Sequence, residues 1–277
     1  MSDASQHPAG PREPASAMGI DDPAIPTADD DGRQASLPFR VRFDEATPTG
    51  TIRTSVLLRY AADLAAVHSE RRGFGRAWYQ ERDLAWLVRG VELDVVGRMT
   101  YGQELIGTTE AIAARKVIAR RRTEFRAGTD EVAATLTVDW ALTTAHGAPT
   151  RIPPIFASVF TMPERTFAPI RVRSVPGDGV SVGVLELGVR SQELDPMGHV
   201  NNAVYVDWAE EAIRATGGAA GAATLDAIPR RWRLEYLGAA EPGRRVRAVS
   251  WPSGDGWSCR IVDAETGEPY LGANLEA

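Results

Sequence analysis

The chain repeats its own plan, and that repetition limits the folds open to it more than any other feature. Aligning Gly50 with Gly198 superposes two helical segments at an offset of 148 residues, with Tyr60 falling where Trp208 lies. Around each helix the order is the same: a short strand, the helix, then several strands. Leu37 to Phe43 reads as a strand, residues 52–72 as a largely apolar helix closed by Gly73, and Val91, Leu93 and Val95 alternate with Glu92 and Asp94. Leu136, Val138, Trp140 and Leu142 alternate in the same way around Thr137, Asp139 and Ala141. In the second half Leu185, Leu187 and Val189 alternate before the helix, and Trp232, Leu234 and Tyr236 alternate with Arg231, Arg233 and Glu235 after it. Period-two alternation marks half-buried antiparallel strands. One long helix per set of strands implies an α+β architecture in which each sheet curls around its helix.

The boundaries follow from composition. Residues 1–36 hold seven acidic residues against Arg12 and Arg33, so −5 of the net charge of −6 lies in this segment. With five prolines and almost no bulky apolar side chain it cannot offset its ordering entropy, and a disordered acidic tail is expected. Residues 37–145 form the first unit and 181–277 the second. Residues 146–180, with six prolines, have the composition of a linker. At 277 residues, two units of moderate size can each bury a core. The lone Cys259 excludes an internal disulfide framework, and no apolar run reaches the length of a membrane span, so a cytoplasmic protein is expected.

Reactive side chains gather at the start of the second helix. In Asp195-Pro196-Met197-Gly198-His199-Val200-Asn201-Asn202, a carboxylate, an imidazole and two carboxamides crowd the mouth of a helix. Tyr205, Trp208, Ala209, Ala212 and Ile213 then recur at helical spacing, while Glu210 and Glu211 read as a solvated face, until Gly217-Gly218 stops the run. Helix starts carry unpaired N–H groups that favour developing negative charge. Thioester hydrolysis needs such donors together with a nucleophile or activated water.

These residues resemble the hotdog-fold thioesterases, both the acyl-ACP (acyl carrier protein) enzymes and the bacterial acyl-CoA and 4-hydroxybenzoyl-CoA type. His68–Gly75, Leu84–Val88 and Arg120–Phe125 follow the order of the first half of the acyl-ACP enzymes, and Leu234-Glu235-Tyr236 that of the second. The resemblance implies a tandem hotdog over roughly residues 37 to 275, one chain doing the work of a homodimer. It also implies a metal-free, cofactor-free thioesterase of lipid metabolism acting on acyl-ACP or acyl-CoA, as a monomer or as a homodimer of the tandem unit. Asp195 occupies the catalytic carboxylate position of the bacterial Asp-Pro-x-Gly pattern, as general base or as nucleophile. His199 is the expected catalytic partner, orienting water or moving a proton, and Gly198, Asn201 and Asn202 the expected substrate-binding residues.

Each assignment has a plainer rival. Asp195 before Pro196 can simply turn the chain into the helix, and Asn201 and Asn202 can be loop and capping residues. The plant pattern is also incomplete: Met197 replaces an Asn, and Ala239 and Ala240 replace an acidic residue and a Cys. A non-catalytic acyl-binding protein is therefore the alternative. Under the repeat, Thr47 and Thr51 take the places of Asp195 and His199, so the first half is catalytically empty. Its helix is freer to shape an acyl tunnel, although Val56, Leu57, Tyr60, Leu64 and Val67 read first as ordinary core. Arg120–Arg122, Arg230–Arg233 and Arg244–Arg247 are either docking sites for an acidic carrier or solvated strand faces. Gly179–Gly183 matches a nucleophile elbow in letters only, because no helix follows it, and the acidic balance disfavours nucleic acid.

Overall fold

A computed structural model describes residues 32–128, 131–160, 162, 166–173 and 175–277. The first half contains β1 (Gln34–Arg40), α1 (Thr54–Arg71), α2 (Arg76–Gln80), β2 (Leu84–Val95), β3 (Glu104–Arg115), β4 (Ile118–Ala127) and β5 (Val132–Thr144). After α3 (Pro154–Val159), the second half contains β6 (Gly183–Gly188), α4 (Asn202–Asp226), β7 (Arg230–Tyr236), β8 (Arg245–Ser253), β9 (Gly256–Asp263) and β10 (Pro269–Glu276).

The ten strands of the described residues join in one antiparallel sheet, ordered β1-β3-β4-β5-β2-β7-β10-β9-β8-β6. The order reads as the same five-strand pattern run outward in both directions from the β2–β7 seam. The two copies are thus related by a pseudo-twofold axis at that seam. There Gly90 to Val95 pair with Glu235 to Arg230. On the inner face Leu93 and Trp232, both fully buried, enter a core shared by both helices and both sets of strands. On the outer face Arg231 pairs with Asp94, and Arg233 with Glu92 at 2.6 Å. Exposed pairs of this kind contribute at most about 1 kcal/mol each, so the apolar core rather than the ion pairs holds the seam. The Arg-rich stretches are largely spent in the same way, Arg120 on Asp139, Arg122 on Glu110 and Arg247 on Glu186.

α1 and α4 pack against each other, with Arg59 and Asp207 forming an ion pair at 3.5 Å across the contact. Glu210 is therefore not on a solvated face. It is half-buried, and burial raises its carboxyl pKa against the opposing effect of Thr54. The helical run does break at Gly217-Gly218: Gly218 leaves helical geometry at φ 53°, which suits glycine, and a second helical stretch of α4 runs on from the kink to Asp226. Gly217 is needed for a different reason: a Cβ there would collide with the Trp257 ring.

Three further boundaries differ from the sequence reading. β1 begins at Gln34, so residues 34–36 pair with Glu110, Thr109 and Thr108 instead of belonging to the acidic tail, whose residues 1–31 lie outside the described residues. The first strand ends at Arg40, and Phe43–Glu45 form a 3-10 turn. The Pro-rich segment is also packed, not a bare tether. Phe156 and Phe160 are buried in a second apolar cluster. Ile170 and Val172 donate backbone N–H groups to the carboxylates of Asp139 (2.8 Å) and Glu235 (2.9 Å), strapping the segment across the outer face of both halves.

Candidate active site

The turn before α4 is a closed loop. A bridge between Leu194 and Val200 shuts its base. Asp195 N–H donates to the His199 carbonyl at 2.8 Å, and Gly198 N–H to the Asp195 carbonyl at 2.9 Å. Gly198 sits at φ 80°, where a side chain would be strained. One carboxylate oxygen of Asp195, Oδ1, accepts the N–H groups of Met197 (2.8 Å) and His199 (3.3 Å). Asp195 therefore does shape the turn, as its plainer reading expects. Among the described residues Oδ2 has no hydrogen bond, and the carboxyl keeps one oxygen available for chemistry.

Below the loop lies an anchor that the sequence reading missed. The buried Glu193 accepts the backbone N–H of Arg190 at 2.7 Å, the Arg190 guanidinium, and the indole N–H of Trp208 at 3.3 Å. Burial pushes its carboxyl pKa up, but the hydrogen bonds from Arg190 outweigh that and hold it below the usual carboxylate range. In the first half Arg42, Glu45 and Tyr60 make the same arrangement. The signal was present, since Val41-Arg42 and Glu45 recur as Val189-Arg190 and Glu193 at the same offset of 148.

Asn201 caps α4, its side-chain oxygen accepting the N–H of Ala203 at 2.9 Å. Two buried tyrosines brace the helix start. Tyr236 donates to the Asn202 carbonyl at 2.9 Å, while the Tyr205 hydroxyl accepts the N–H of Ala240 at 2.8 Å. Burial pushes the Tyr205 hydroxyl pKa up to about 12, with the nearby negative charge of Asp195 adding to it. Ala240, which replaces the plant Cys, is fully buried and its carbonyl accepts Val200 N–H at 3.3 Å. It braces the loop with its backbone and offers no reactive side chain.

Asn201, Asn202 and Tyr236 form one wall of a cavity of about 160 Å³. The opposite wall comes from the other half, with Leu58 and Ala61 of α1 and Val91, Val138 and Trp140 of β2 and β5. Asp195, His199 and Gly198 lie in the loop leading to this helix start and do not line the cavity. Val56, Leu57 and Leu64 are buried core, and α1 lines the cavity with Leu58, Arg59, Ala61 and Ala62 and not with the stripe of Val56, Leu57, Tyr60, Leu64 and Val67. A larger cavity of about 330 Å³ continues along α1, sharing Ala62 and Trp140 as walls. Among the described residues no three His, Cys, Asp or Glu side chains come together as a metal site would require. Residues 179–182 are a loop that leads into β6 at Gly183, so a strand and not a helix follows.

Comparison with known proteins places these features in a family. The acyl-ACP thioesterase N-terminal domain model matches residues 33–149 and the C-terminal domain model residues 181–262. No curated protein matches the chain in sequence. Among solved structures, a provisionally assigned oleoyl thioesterase from Lactobacillus plantarum superposes with a TM-score of 0.75 at 19% identity, covering 87% of this chain and 94% of that one. The 12:0-ACP thioesterase from Umbellularia californica superposes at 0.72 and 19% identity, covering 88% and 96%. An acyl-ACP thioesterase from Bacteroides thetaiotaomicron gives 0.69 at 14% identity, covering 88% and 97%. At these identities the likeness concerns the fold, and it is the tandem hotdog.

Proposed function

The chain belongs to the acyl-ACP thioesterase family, whose members are thiolester hydrolases, and on that premise we propose that it releases free fatty acid from acyl-ACP by chemistry centred on Asp195. The observation that carries this reading is the composite cavity. One half supplies the helix start with Asn201 and Asn202, and the other supplies apolar walls suited to an acyl chain. Because one chain contributes both halves, no partner subunit is needed to complete it.

In this reading the thioester carbonyl sits at the start of α4. First-turn N–H groups that the Asn201 cap does not use stabilise the oxyanion. Asp195 is held by its Oδ1 bonds and acts through Oδ2. It either takes a proton from water as that water attacks the carbonyl carbon, or attacks the carbon itself to give a mixed anhydride that water then hydrolyses. In both routes the carbon–sulfur bond breaks and the thiolate takes up a proton, for which His199 is the candidate donor in the loop. Asn201 and Asn202 position the thioester. Met197, Ala239 and Ala240 contribute no acid, base or nucleophile, so the reading leaves Asp195 and His199 as the reactive side chains of this loop. Acyl-CoA is the second substrate class, and the free, buried Cys259 is compatible with a cytoplasmic setting.

Thiol release from a panel of acyl-ACP and acyl-CoA thioesters tests the proposal. Turnover by the wild type that drops on the order of 100-fold or more in Asp195→Asn supports it, since a positioned acid–base group contributes roughly 10²–10⁴-fold. Undiminished turnover by a folded Asp195→Asn would sink it.

A further inference from the structure

A groove of about 670 Å³ runs between β6 and α4 and meets the composite cavity at Arg59, the one residue that lines both. Its floor is apolar, with Val204 and Trp208 buried and Leu187 half-buried, while Glu186, Gln192 and Glu211 form an exposed polar rim. Its wall also includes Arg190 and Glu193, from the segment that leads directly into the Asp195 loop. The repeat shows how this space arises. At the offset of 148 residues, Leu187 and Gly188 correspond to Phe39 and Arg40. In the first half Phe39 stacks on Tyr60 with ring centroids 4.2 Å apart, and Arg40 donates through Nε to the Gly102 carbonyl at 3.3 Å. The second half sets a smaller residue at both places.

Neither conformation nor packing asks for glycine at position 188. Its φ lies outside the left-handed region, and an added Cβ would meet no atom within 4 Å. Arg40 shows that this strand position accepts a long side chain. Glycine weakens a strand, and within one it often marks a place where a ligand comes close. Gly188 lines the groove, so what its missing side chain leaves free is room in the groove itself.

The chemistry of the lining says what fits. Its charges are largely paired off: Arg59 with Asp207 at 3.5 Å, Arg190 with Glu193, and Glu186 with Arg245 at 3.6 Å and Arg247 at 3.3 Å. The Gln192 carboxamide and the Glu211 carboxylate then offer one donor group and acceptors on both sides of an apolar floor. Such a surface suits a neutral chain carrying amides better than a bare hydrocarbon tail, which the cavities beyond Arg59 already accommodate. A thioester held at the α4 start has its acyl group on one side and the substituent of its sulfur on the other. We infer that the groove receives that substituent, the phosphopantetheine arm that ACP and coenzyme A share. The amides of the arm face Gln192 and Glu211, and its dimethyl segment lies on Leu187 and Trp208. Gly188 and Gln192 are thus specificity-determining residues for the carrier side of the substrate.

This inference rests on the thioester lying at the α4 start as proposed above, and two readouts separate its failure from failure of the catalytic reading. In the first, one acyl group is offered on ACP, on coenzyme A and on N-acetylcysteamine, which keeps only the sulfur end of the arm. Full-arm substrates should exceed the truncated one tenfold or more in kcat/KM. Gly188→Leu should cut that ratio at least tenfold and Gln192→Ala several-fold, both through KM, while Arg40→Leu at the matching place of the first half leaves the ratio as it is. A fall with both carriers supports the shared arm as occupant, and a fall with ACP alone points to the surface of the carrier protein and overturns it. In the second, which needs no turnover, calorimetry on full-length Asp195→Asn protein compares an S-alkyl phosphopantetheine thioether with the same alkyl group on N-acetylcysteamine. Tighter binding of the full arm, lost in Gly188→Leu, supports the groove even if no thioester is hydrolysed. Equal binding of the two thioethers, or a kcat/KM ratio that Gly188→Leu leaves unchanged, overturns it.

Discussion

Thr47 and Asp195 make the same turn 148 residues apart. Each backbone N–H donates at 2.8 Å to the carbonyl of the residue four positions on, Thr51 and His199. Each side-chain oxygen accepts the N–H of that same residue at 3.3 Å. The repeat therefore contains its own control, in which a hydroxyl does the structural part of the carboxylate's work. Asp195→Thr should lose no more than about 1 kcal/mol of stability, the scale of one neutral turn hydrogen bond, while turnover falls at least 100-fold. Denaturant unfolding beside thiol-release kinetics measures both, and parallel losses would return Asp195 to a purely structural role.

The paired glycines extend the comparison. Gly50 and Gly198 have φ of 78° and 80°, and at neither position would an added Cβ meet another atom within 4 Å, so substitution costs backbone strain alone. Gly50→Ala and Gly198→Ala should each destabilise by about 1–2 kcal/mol. Only Gly198→Ala should also lower kcat, because only its loop carries Asp195. Equal kinetic effects at the two sites would contradict the assignment of chemistry to the second half.

Acid should weaken the fold in two stages. His68 has a folded pKa lowered to about 4 from an ordinary 6.5, so the unfolded chain binds more protons between those values and stability falls as pH drops through that window. The slope from this residue reaches at most about 1.4 kcal/mol per pH unit. Glu45 and Glu193, both held below the ordinary carboxylate value, contribute stability that is present above it and lost as pH falls further. Chemical denaturation from about pH 7 down to about pH 3, a range spanning the ordinary His and Glu values, should show both. A folded His68→Gln should flatten the upper stage only.

Asp139 accepts three hydrogen bonds in one buried place: two from a bidentate Arg120 at 2.7 and 2.9 Å and one from the Ile170 N–H at 2.8 Å. Asp139→Asn leaves the Arg120 guanidinium, itself mostly buried, without its charge partner, and a loss of about 3–5 kcal/mol is expected. The strap over residues 166–173 should loosen first. Faster amide exchange at Ile170 and Val172 than at the β2–β7 seam is the measurement that checks this.

The outline of the fold was legible because period-two and helical spacings are local, and an offset of 148 residues is visible in letters. Tyr60 and Trp208, aligned from sequence, do occupy matching places, each bonded to the glutamate before its helix. The Glu45 and Glu193 anchors were equally visible under that offset but carry no periodic signal, so pattern reading passed over them. Helix ends were legible only in part: Gly217-Gly218 marks the break at Gly218, but nothing in the letters shows that helix resumes beyond it and runs on to Asp226.

What the sequence determined by itself is the duplicated strand–helix–strands plan, the family resemblance and the loop where reactive side chains cluster, since each is written in neighbouring residues. What only the tertiary structure decided is which surfaces meet. That the two copies share one continuous sheet, that the Asn201–Asn202 helix start faces Leu58 and Val138 of the other half, and that Arg59 of the first half lines a groove built by the second are all relations between distant segments. Such relations are set by burial of a common core, a cooperative balance of apolar area against chain entropy that no local spacing encodes.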